Sequence, residues 1–137
     1  MTPIVLDASV TMSWVLAEED RERGALVLDA LHSRGAAVPA LWRLEICNVL
    51  LVAQRRRRVT ESAALRFLTL LQDLPIEIDD APPDMVEVVA AGGRHGLSAY
   101  DATYLLLAER LGAPLATFDD RLARAAIDAG VQIFLAP

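Results

Sequence analysis

The chain has 137 residues, of which 54% are hydrophobic and only 5% are aromatic. This length fits one domain with its own core, and the single cysteine excludes an internal disulfide. No apolar run approaches the roughly 18 residues of a membrane span, and the net charge of −6 argues against a general nucleic-acid binder. The N-terminal residues lack the basic start and cleavage site of a signal peptide, so we expect a cytoplasmic protein with no membrane anchor.

The hydrophobic pattern of the first half predicts strands that alternate with helices. The predicted elements are a strand over residues 3–7, helices over 9–17 and 20–33, a strand over 36–38, and a long helix that runs on to the arginines at 55–58. Gly35 is expected to end the second helix, and Pro39 to open the long one. Cys47 lies in an apolar part of the long helix, so we expect a buried and inert thiol.

The second half continues the same alternation. The predicted elements are a helix over residues 60–74, a strand over 75–78, a helix from Pro82 to about Gly93, a helix over 98–111, a strand over 114–117, a helix over 119–129 and a strand over 131–134. Thr60 is expected to cap the first of these helices, whose apolar side carries Leu65, Leu68 and Leu71. Gly112 is expected to close the helix that Ser98 opens. The pattern predicts a single α/β domain over residues 1–137 with a mostly parallel sheet.

Two acids fall where strands of this sheet are expected to end. Asp7 closes the first strand, and Asp119 follows the strand over residues 114–117. Ligands of open parallel sheets bind outside the carboxyl ends of the strands, so both acids are candidates for one crevice. Each could instead be a helix N-cap, a position that Asp favours.

Two further acids lie among apolar residues of predicted helices. Glu45 is surrounded by Leu41, Leu44, Ile46 and Val49, and a carboxylate that faces a core must find a partner, lose its charge or bind a cation. It could also point to water or pair with an arginine. Asp101 stands three residues after Ser98, a spacing that a capping box would explain by itself.

The four acids together predict more than any one of them. Carboxylates that converge in one pocket repel each other and have raised pKa values unless a cation intervenes. Hard divalent ions such as Mg²⁺ take oxygen ligands of this kind. Such a site activates water and stabilises the charge on a phosphodiester that is being cut.

The chain resembles the PIN-domain family, and in particular its VapC-type toxins. The matching motifs are Val5-Leu6-Asp7-Ala8-Ser9, Pro39-Ala40-Leu41 followed by Glu45-Ile46-Cys47-Asn48-Val49-Leu50, Leu97-Ser98-Ala99-Tyr100-Asp101-Ala102, and Leu115-Ala116-Thr117-Phe118-Asp119. They span essentially the whole chain in the usual order. The resemblance implies a three-layer α/β/α sandwich with a central sheet of about five strands.

The resemblance also implies an activity and its residues. It implies an Mg²⁺- or Mn²⁺-dependent endoribonuclease in which metal-activated water attacks phosphorus. Asp7, Glu45, Asp101 and Asp119 would then be both the catalytic residues and the metal ligands, with Ser9, Asn48 and Thr117 in supporting positions. Such toxins are typically homodimers that cut RNA and are silenced by a cognate antitoxin protein whose tail enters the acidic groove.

The run Arg55-Arg56-Arg57-Arg58 is a candidate RNA contact, because guanidinium groups suit phosphate oxygens. Consecutive residues cannot all face one side of a helix, so Arg55 and Arg58 are the pair that we predict to bind RNA. The alternative is a solvated end of the helix, where arginines complement the helix dipole.

Two other functional classes compete with the nuclease. A phosphatase with Asp7 as nucleophile usually needs a second Asp two residues on and a later Lys, but this chain has Ser9 and no Lys. The other is a catalytically silent PIN-like module that binds RNA or protein. The presence of all four acids favours the enzyme.

Overall fold

The computed structural model describes residues 1–16 and 19–135. Within them the strands are β1 (Ile4–Leu6), β2 (Ala36–Pro39), β3 (Ile76–Asp79) and β4 (Leu115–Ala116). The helices are α1 (Ala8–Ser13), α2 (Arg21–Arg34), α3 (Leu41–Arg55), α4 (Glu61–Gln72), α5 (Met85–His95), α6 (Ala99–Leu111) and α7 (Asp120–Asp128). The four strands form one parallel sheet in the order β3-β2-β1-β4.

This strand order determines which helices cover each face of the sheet. The chain steps from β1 to β2 to β3 in one direction and then returns past both to β4. Because parallel crossovers are right-handed, α1–α4 cover one face and α5–α6 the other. Contacts agree with this arrangement: α6 packs against β1, β2 and β4 and touches α5 and α7, while α1 touches α2 and α3. The predicted three-layer α/β/α sandwich is therefore confirmed.

The sheet has four strands rather than the predicted five. Residues 131–134 form only an isolated bridge, in which Ile133 pairs with Leu115. The backbone of Leu115 donates to Gln132 and accepts from Phe134. The partner strand β4 is only two residues long, so the pairing ends there instead of extending into a ladder.

Most predicted helix ends are confirmed by their caps. The hydroxyls of Thr60 and Ser98 accept hydrogen bonds from the backbone N–H groups of Ala63 and Asp101. Gly35 ends α2 as predicted, and Gly112 ends α6 in the left-handed conformation that glycine adopts readily. The first predicted helix ends at Ser13, and Ala17, where we had expected it to end, lies outside the described residues.

Four expectations for the helices are wrong. Pro39 does not open the long helix, because it is the last residue of β2 and α3 begins at Leu41. Cys47 is exposed, because the buried stripe of α3 runs through Trp42, Ile46 and Leu50, and Cys47 lies one residue off it. Leu65 is 56% exposed, since α4 turns Ala64 and Leu71 toward the core. Helix α5 continues through both glycines to His95 and ends at Gly96, beyond the predicted end near Gly93.

The core lies on both faces of β1, whose residues Ile4, Val5 and Leu6 are fully buried. Buried side chains from α2, α3 and α6 surround it, with Leu31, Ile46, Tyr104 and Leu105 among the largest. This packing fixes β1 and therefore the residue that follows it, Asp7. No helix in the described ranges is long and apolar enough to cross a membrane.

The contact between α1 and α2 depends on a glycine. Gly24 lies against Ser13, whose hydroxyl donates to the Val10 carbonyl at 2.6 Å, and the Gly24 carbonyl accepts from the Trp14 indole at 2.8 Å. A Cβ on Gly24 would overlap the Ser13 hydroxyl and lie 3.2 Å from its Cβ. We expect Gly24→Ala to lower the free energy of unfolding in urea by about 1–3 kcal/mol.

Gly93 provides the matched control for that substitution. It also lies within a helix, but a Cβ there would meet nothing within 4 Å. Gly93→Ala should therefore raise the free energy of unfolding by about 0.5–1 kcal/mol, since alanine is the better helix former. Equal stabilisation by both substitutions would contradict the close packing of α1 on α2.

Candidate active site

The direction in which the chain connections run along the sheet reverses at β1. The connection that leaves β1 leads to β2 on one side, whereas β4 joins β1 on the other. A crevice forms at such a switch point, outside the carboxyl ends of the two strands. Asp7 follows β1 directly, and Thr117 follows β4. Helices α3 and α6 both begin at this edge, because each runs antiparallel to the strands.

Asp7 is buried at the base of this crevice. Its side chain is 6% exposed, and its Oδ2 accepts hydrogen bonds from the Ser9 hydroxyl at 2.7 Å and the Thr117 hydroxyl at 2.8 Å. Asp7 occupies the N-cap position of α1, but its side chain makes no capping hydrogen bond. The capping explanation therefore does not account for this carboxylate.

Ser9 and Thr117 connect Asp7 to the segment that follows β4. The Ser9 hydroxyl accepts from the backbone N–H of Phe118 at 3.0 Å, and the Thr117 hydroxyl accepts from the N–H of Asp119 at 3.0 Å. Each hydroxyl thus donates to Asp7 and accepts from this segment. The two residues hold the acids at positions 7 and 119 in a fixed relation, across 110 residues of sequence between Asp7 and Thr117.

Glu45 lies in the second turn of α3 and is half-buried. Its Oε1 accepts a hydrogen bond of 2.5 Å from the hydroxyl of Tyr104, a fully buried residue of α6. This bond joins the two helix layers across the carboxyl edge of the sheet. It turns Glu45 toward the crevice rather than toward solvent.

Asp101 lies in the first turn of α6. Its backbone N–H donates to the Ser98 hydroxyl at 3.1 Å, so the capping interaction that the spacing suggested is present. Its carboxylate nevertheless belongs to the same electrostatic cluster as Asp7 and Asp119. Capping by Ser98 and membership of the cluster are compatible, because Ser98 accepts from the backbone N–H of Asp101 and only partly offsets the raised pKa of its carboxyl.

Asp119 is the N-cap of α7, which is the capping role that the sequence left open for it. Its Oδ1 accepts from the backbone N–H of Leu122 at 3.0 Å. The residue is exposed at the rim of the crevice, unlike Asp7 at its base. Capping accounts for one oxygen of Asp119 and leaves Oδ2 outside that hydrogen bond.

The cluster raises the pKa values of three of its carboxyls. Burial raises the pKa of Asp7 most, and the negative charge of Asp119 adds to the effect against hydrogen bonds from Ser9 and Thr117. Burial also raises the pKa of Glu45, with contributions from Asp7 and Asp101 that oppose the Tyr104 hydrogen bond. The pKa of Asp101 is raised by burial and by Asp7 and Asp119, while Ser98 and Arg121 lower it. The four acids therefore lie close enough to repel one another.

The donor set fits a hard divalent cation. It consists of oxygen atoms only, and a cation would relieve the repulsion among them. In the described ranges, no three His, Cys, Asp or Glu side chains stand at the spacing needed to coordinate one ion together. Mg²⁺ usually keeps several waters and binds through one or two carboxylates, so such an ion needs no more than two of these acids as direct ligands.

The three remaining predicted residues lie on α3 or just after it, beyond Glu45. Asn48 is exposed on α3, three residues beyond Glu45, and makes no side-chain hydrogen bond with the described residues. Arg55 ends α3, ten residues beyond Glu45 and so about 15 Å along the helix axis. Arg58 follows it, and both are exposed. The structure brings neither arginine to the acids, and their contact with RNA stays a prediction.

Sequence reasoning missed three residues near the cluster. Tyr104 stands among apolar residues of its helix, but its place three residues after Asp101 puts both on one helix face. Arg121 lies two residues after Asp119 and close enough to Asp101 to favour its ionised form. Arg23 lies over the ring of Phe118, at 4.6 Å from its centroid. Only the Tyr104 spacing carried a signal in the sequence.

The fold is an α/β/α sandwich with a parallel sheet, and its candidate site is a cluster of carboxylates at the switch point of that sheet. The family model of the PIN domain matches residues 4–128. The chain belongs to the PIN-domain family, as its motifs indicated.

Two curated proteins are similar over most of their length. Ribonuclease VapC3 of Pyrobaculum aerophilum is 29% identical over 125 residues, which cover 88% of this chain and 92% of the relative. Ribonuclease VapC12 of Mycobacterium tuberculosis is 29% identical over 121 residues, which cover 88% of this chain and 90% of the relative. The resemblance to VapC-type ribonucleases is confirmed.

Two solved structures share the fold. The crystal structure of PAE2754 from Pyrobaculum aerophilum matches with a TM-score of 0.70 and 27% identity, over 90% of this chain and 84% of that one. The crystal structure of FitAcB from Neisseria gonorrhoeae matches with a TM-score of 0.55 and 22% identity, over 96% of both chains. At that identity the second match concerns the fold alone.

Proposed function

We propose that this protein is a Mg²⁺- or Mn²⁺-dependent endoribonuclease and the toxin of a toxin–antitoxin pair. The observation that carries the proposal is the convergence of Asp7, Glu45, Asp101 and Asp119 at the switch point of the sheet, where burial and mutual repulsion raise three of their pKa values. Similarity to two proteins named ribonuclease VapC supports RNA as the substrate.

The chain's own residues prepare the site for hydrolysis. Asp7 is fixed from two sides by Ser9 and Thr117, and Glu45 is fixed by Tyr104, so neither carboxylate has to be ordered when a cation binds. Asp101 and Asp119 complete the negative wall of the crevice. These carboxylates would hold a divalent ion directly or through its waters, and the ion would supply a water of lowered pKa and stabilise the charge on the phosphodiester.

The proposed partners follow from the family resemblance. They are an RNA substrate, a cognate antitoxin protein whose tail enters the acidic groove, and a second copy of the chain, and the proposed location is the cytoplasm. Exposed apolar side chains on α5 support association with a partner: Met85, Val86 and Val89 are between 75% and 80% exposed. Light scattering on the purified protein measures the dimer directly.

The test is cleavage of labelled, mixed-sequence single-stranded RNA by protein freed of any antitoxin, with Mn²⁺ or Mg²⁺ against EDTA. We expect cleavage only with metal. Asp101→Asn should reduce the rate on the order of 100-fold or more, because several kcal/mol of charge stabilisation depend on the bound ion. Asp128→Asn is the control, since it removes the same charge from an exposed position on α7.

The alternative, a catalytically silent module that binds RNA or protein, gives different results in the same assay. Its RNA would stay intact with metal, and Asp101→Asn would behave like Asp128→Asn. Growth arrest on expression in cells, relieved by co-expression of a small upstream reading frame, would support the toxin role. Metal-dependent cleavage without growth arrest would support the nuclease activity and contradict the toxin role.

A further inference from the structure

An acidic crevice cannot attract RNA by itself. The four carboxylates repel phosphates, and the whole chain carries a net charge of −6. Binding of single-stranded nucleic acid depends on cations placed along the backbone path. The run of arginines at 55–58 lies at the far end of α3, so the strand near the cleaved bond must be held by other residues.

Arg23 contacts Phe118, the residue that precedes Asp119 in the sequence. It lies in the first turn of α2, and its guanidinium stacks on the ring of Phe118, the residue between Thr117 and Asp119. The backbone N–H of Phe118 donates to the Ser9 hydroxyl, which in turn donates to Asp7. The ring that supports Arg23 is therefore fixed to the same hydrogen-bond network as the acids.

The stacked guanidinium keeps donors available for an anion. Its Nη1 donates to Asp20 at 3.1 Å, and the Arg23 side chain is 49% exposed. A guanidinium has five N–H donors in one plane, so stacking by its face and one bond to Asp20 leave the rest of its edge for phosphate oxygens. The aromatic support also limits the side-chain freedom that binding would otherwise remove.

A second exposed arginine lies close to the acids and lowers the pKa of Asp101. Arg121 is in the first turn of α7, two residues after Asp119. Arg23 and Arg121 thus lie next to the segment of Phe118 and Asp119, which carries the solvent-exposed acid of the cluster.

We propose that Arg23, held on Phe118 and assisted by Arg121, binds the RNA phosphate next to the one that is cleaved. The inference rests on the proposed ribonuclease function and adds the residues that position its substrate. Arg23 is then a positioning residue for the strand, and the arginines at 55–58 contribute little to affinity at the site.

The experiment measures binding of a fluorescent mixed-sequence single-stranded RNA by anisotropy, between about 50 and 200 mM salt. All proteins carry Asp7→Asn so that the RNA stays intact. We expect Arg23→Gln to weaken binding about tenfold and to reduce the salt slope by about one, with a smaller loss for Arg121→Gln. Arg23→Lys should keep the salt slope but lose part of the affinity, since lysine lacks the planar fork.

The matched control is Arg21→Gln, which removes the same charge two residues away on the opposite side of α2. Arg55→Gln with Arg58→Gln tests the distant arginines. Equal affinity of Arg23→Gln and Arg21→Gln would overturn the inference, as would a larger loss from the Arg55 and Arg58 pair, or no binding of RNA at all. Failure of the proposed function shows separately, as intact RNA after incubation with the otherwise unaltered protein and Mn²⁺.

Discussion

Replacing Asp7 with Asn should abolish metal-dependent RNA cleavage and yet make the metal-free protein more stable at neutral pH. The carboxylate is buried beside three other acids, so its charge is unfavourable in the folded state unless a cation is bound. Both hydroxyl donors reach the same oxygen, Oδ2, and the single oxygen of Asn can accept from both. We expect activity to fall on the order of a thousandfold.

The sign of the stability effect follows from the raised pKa of Asp7. A carboxyl with a raised pKa in the folded state binds more protons folded than unfolded, so stability falls as pH rises from the unfolded value near 3.8 through the folded one. Urea unfolding in EDTA between about pH 4 and pH 8 should show this loss for the wild type. Asp7→Asn should lack the part of this loss of stability that comes from Asp7. The difference in the free energy of unfolding between the variant and the wild type should therefore grow with pH and then level off.

With metal bound, the wild type should be more stable than Asp7→Asn, the reverse of the order without metal. Saturating Mn²⁺ binds the folded wild type and raises its unfolding midpoint, whereas Asp7→Asn gains little. Asp128→Asn should follow the wild type in every condition, because its carboxylate is exposed and lies outside the cluster. A metal-free Asp7→Asn protein less stable than the wild type at pH 7 would show that the Asp7 charge is compensated in some other way.

Tyr104→Phe should weaken Mn²⁺ binding about tenfold or more while leaving the fold intact. The Tyr104 hydroxyl is the donor that orients Glu45, and groups that orient metal-binding side chains typically contribute 10–100-fold to affinity. Burial and the neighbouring Glu45 raise the pKa of Tyr104, so the hydroxyl stays protonated and remains a donor at any working pH. Phenylalanine fills the same buried volume.

The measurement combines calorimetric titration with Mn²⁺, cleavage rates and urea unfolding without metal. Tyr100→Phe is the control, because Tyr100 is 65% exposed on the same helix. We expect Tyr104→Phe to change the Kd for Mn²⁺ and the cleavage rate together, with a small change in unfolding. An unchanged Kd would show that Glu45 takes up its position without the tyrosine.

Local signals in the sequence predicted most of the fold. Caps at Thr60 and Ser98 and the glycines that end α2 and α6 lie where their chemistry requires, and they fixed most helix boundaries. The predictions that were wrong concern features that depend on neighbours in space. The last strand was lost because its partner β4 is too short, and the exposure of Cys47 depends on which stripe of α3 meets the sheet.

The same distinction between local signals and contacts in space applies to the candidate site. Asp7 and Asp119 were found from strand ends, and Glu45 from a charge among apolar residues. The sequence could not show that Ser9 and Thr117 share Asp7, because their pairing joins positions more than a hundred residues apart. Nor could it show that a buried tyrosine of α6 serves Glu45 of α3. Such contacts exist only after both layers have packed on the sheet.

The central position of β1 determines when this site can exist. Its two neighbours are β2, which follows within the first forty residues, and β4, which comes near the end of the chain. While the protein is being synthesised, Asp7 therefore remains without Thr117 and Asp119 until that later part of the chain has also left the ribosome. A chain that has not yet reached β4 lacks Thr117 and Asp119, so the acidic cluster assembles only after these residues have been synthesised.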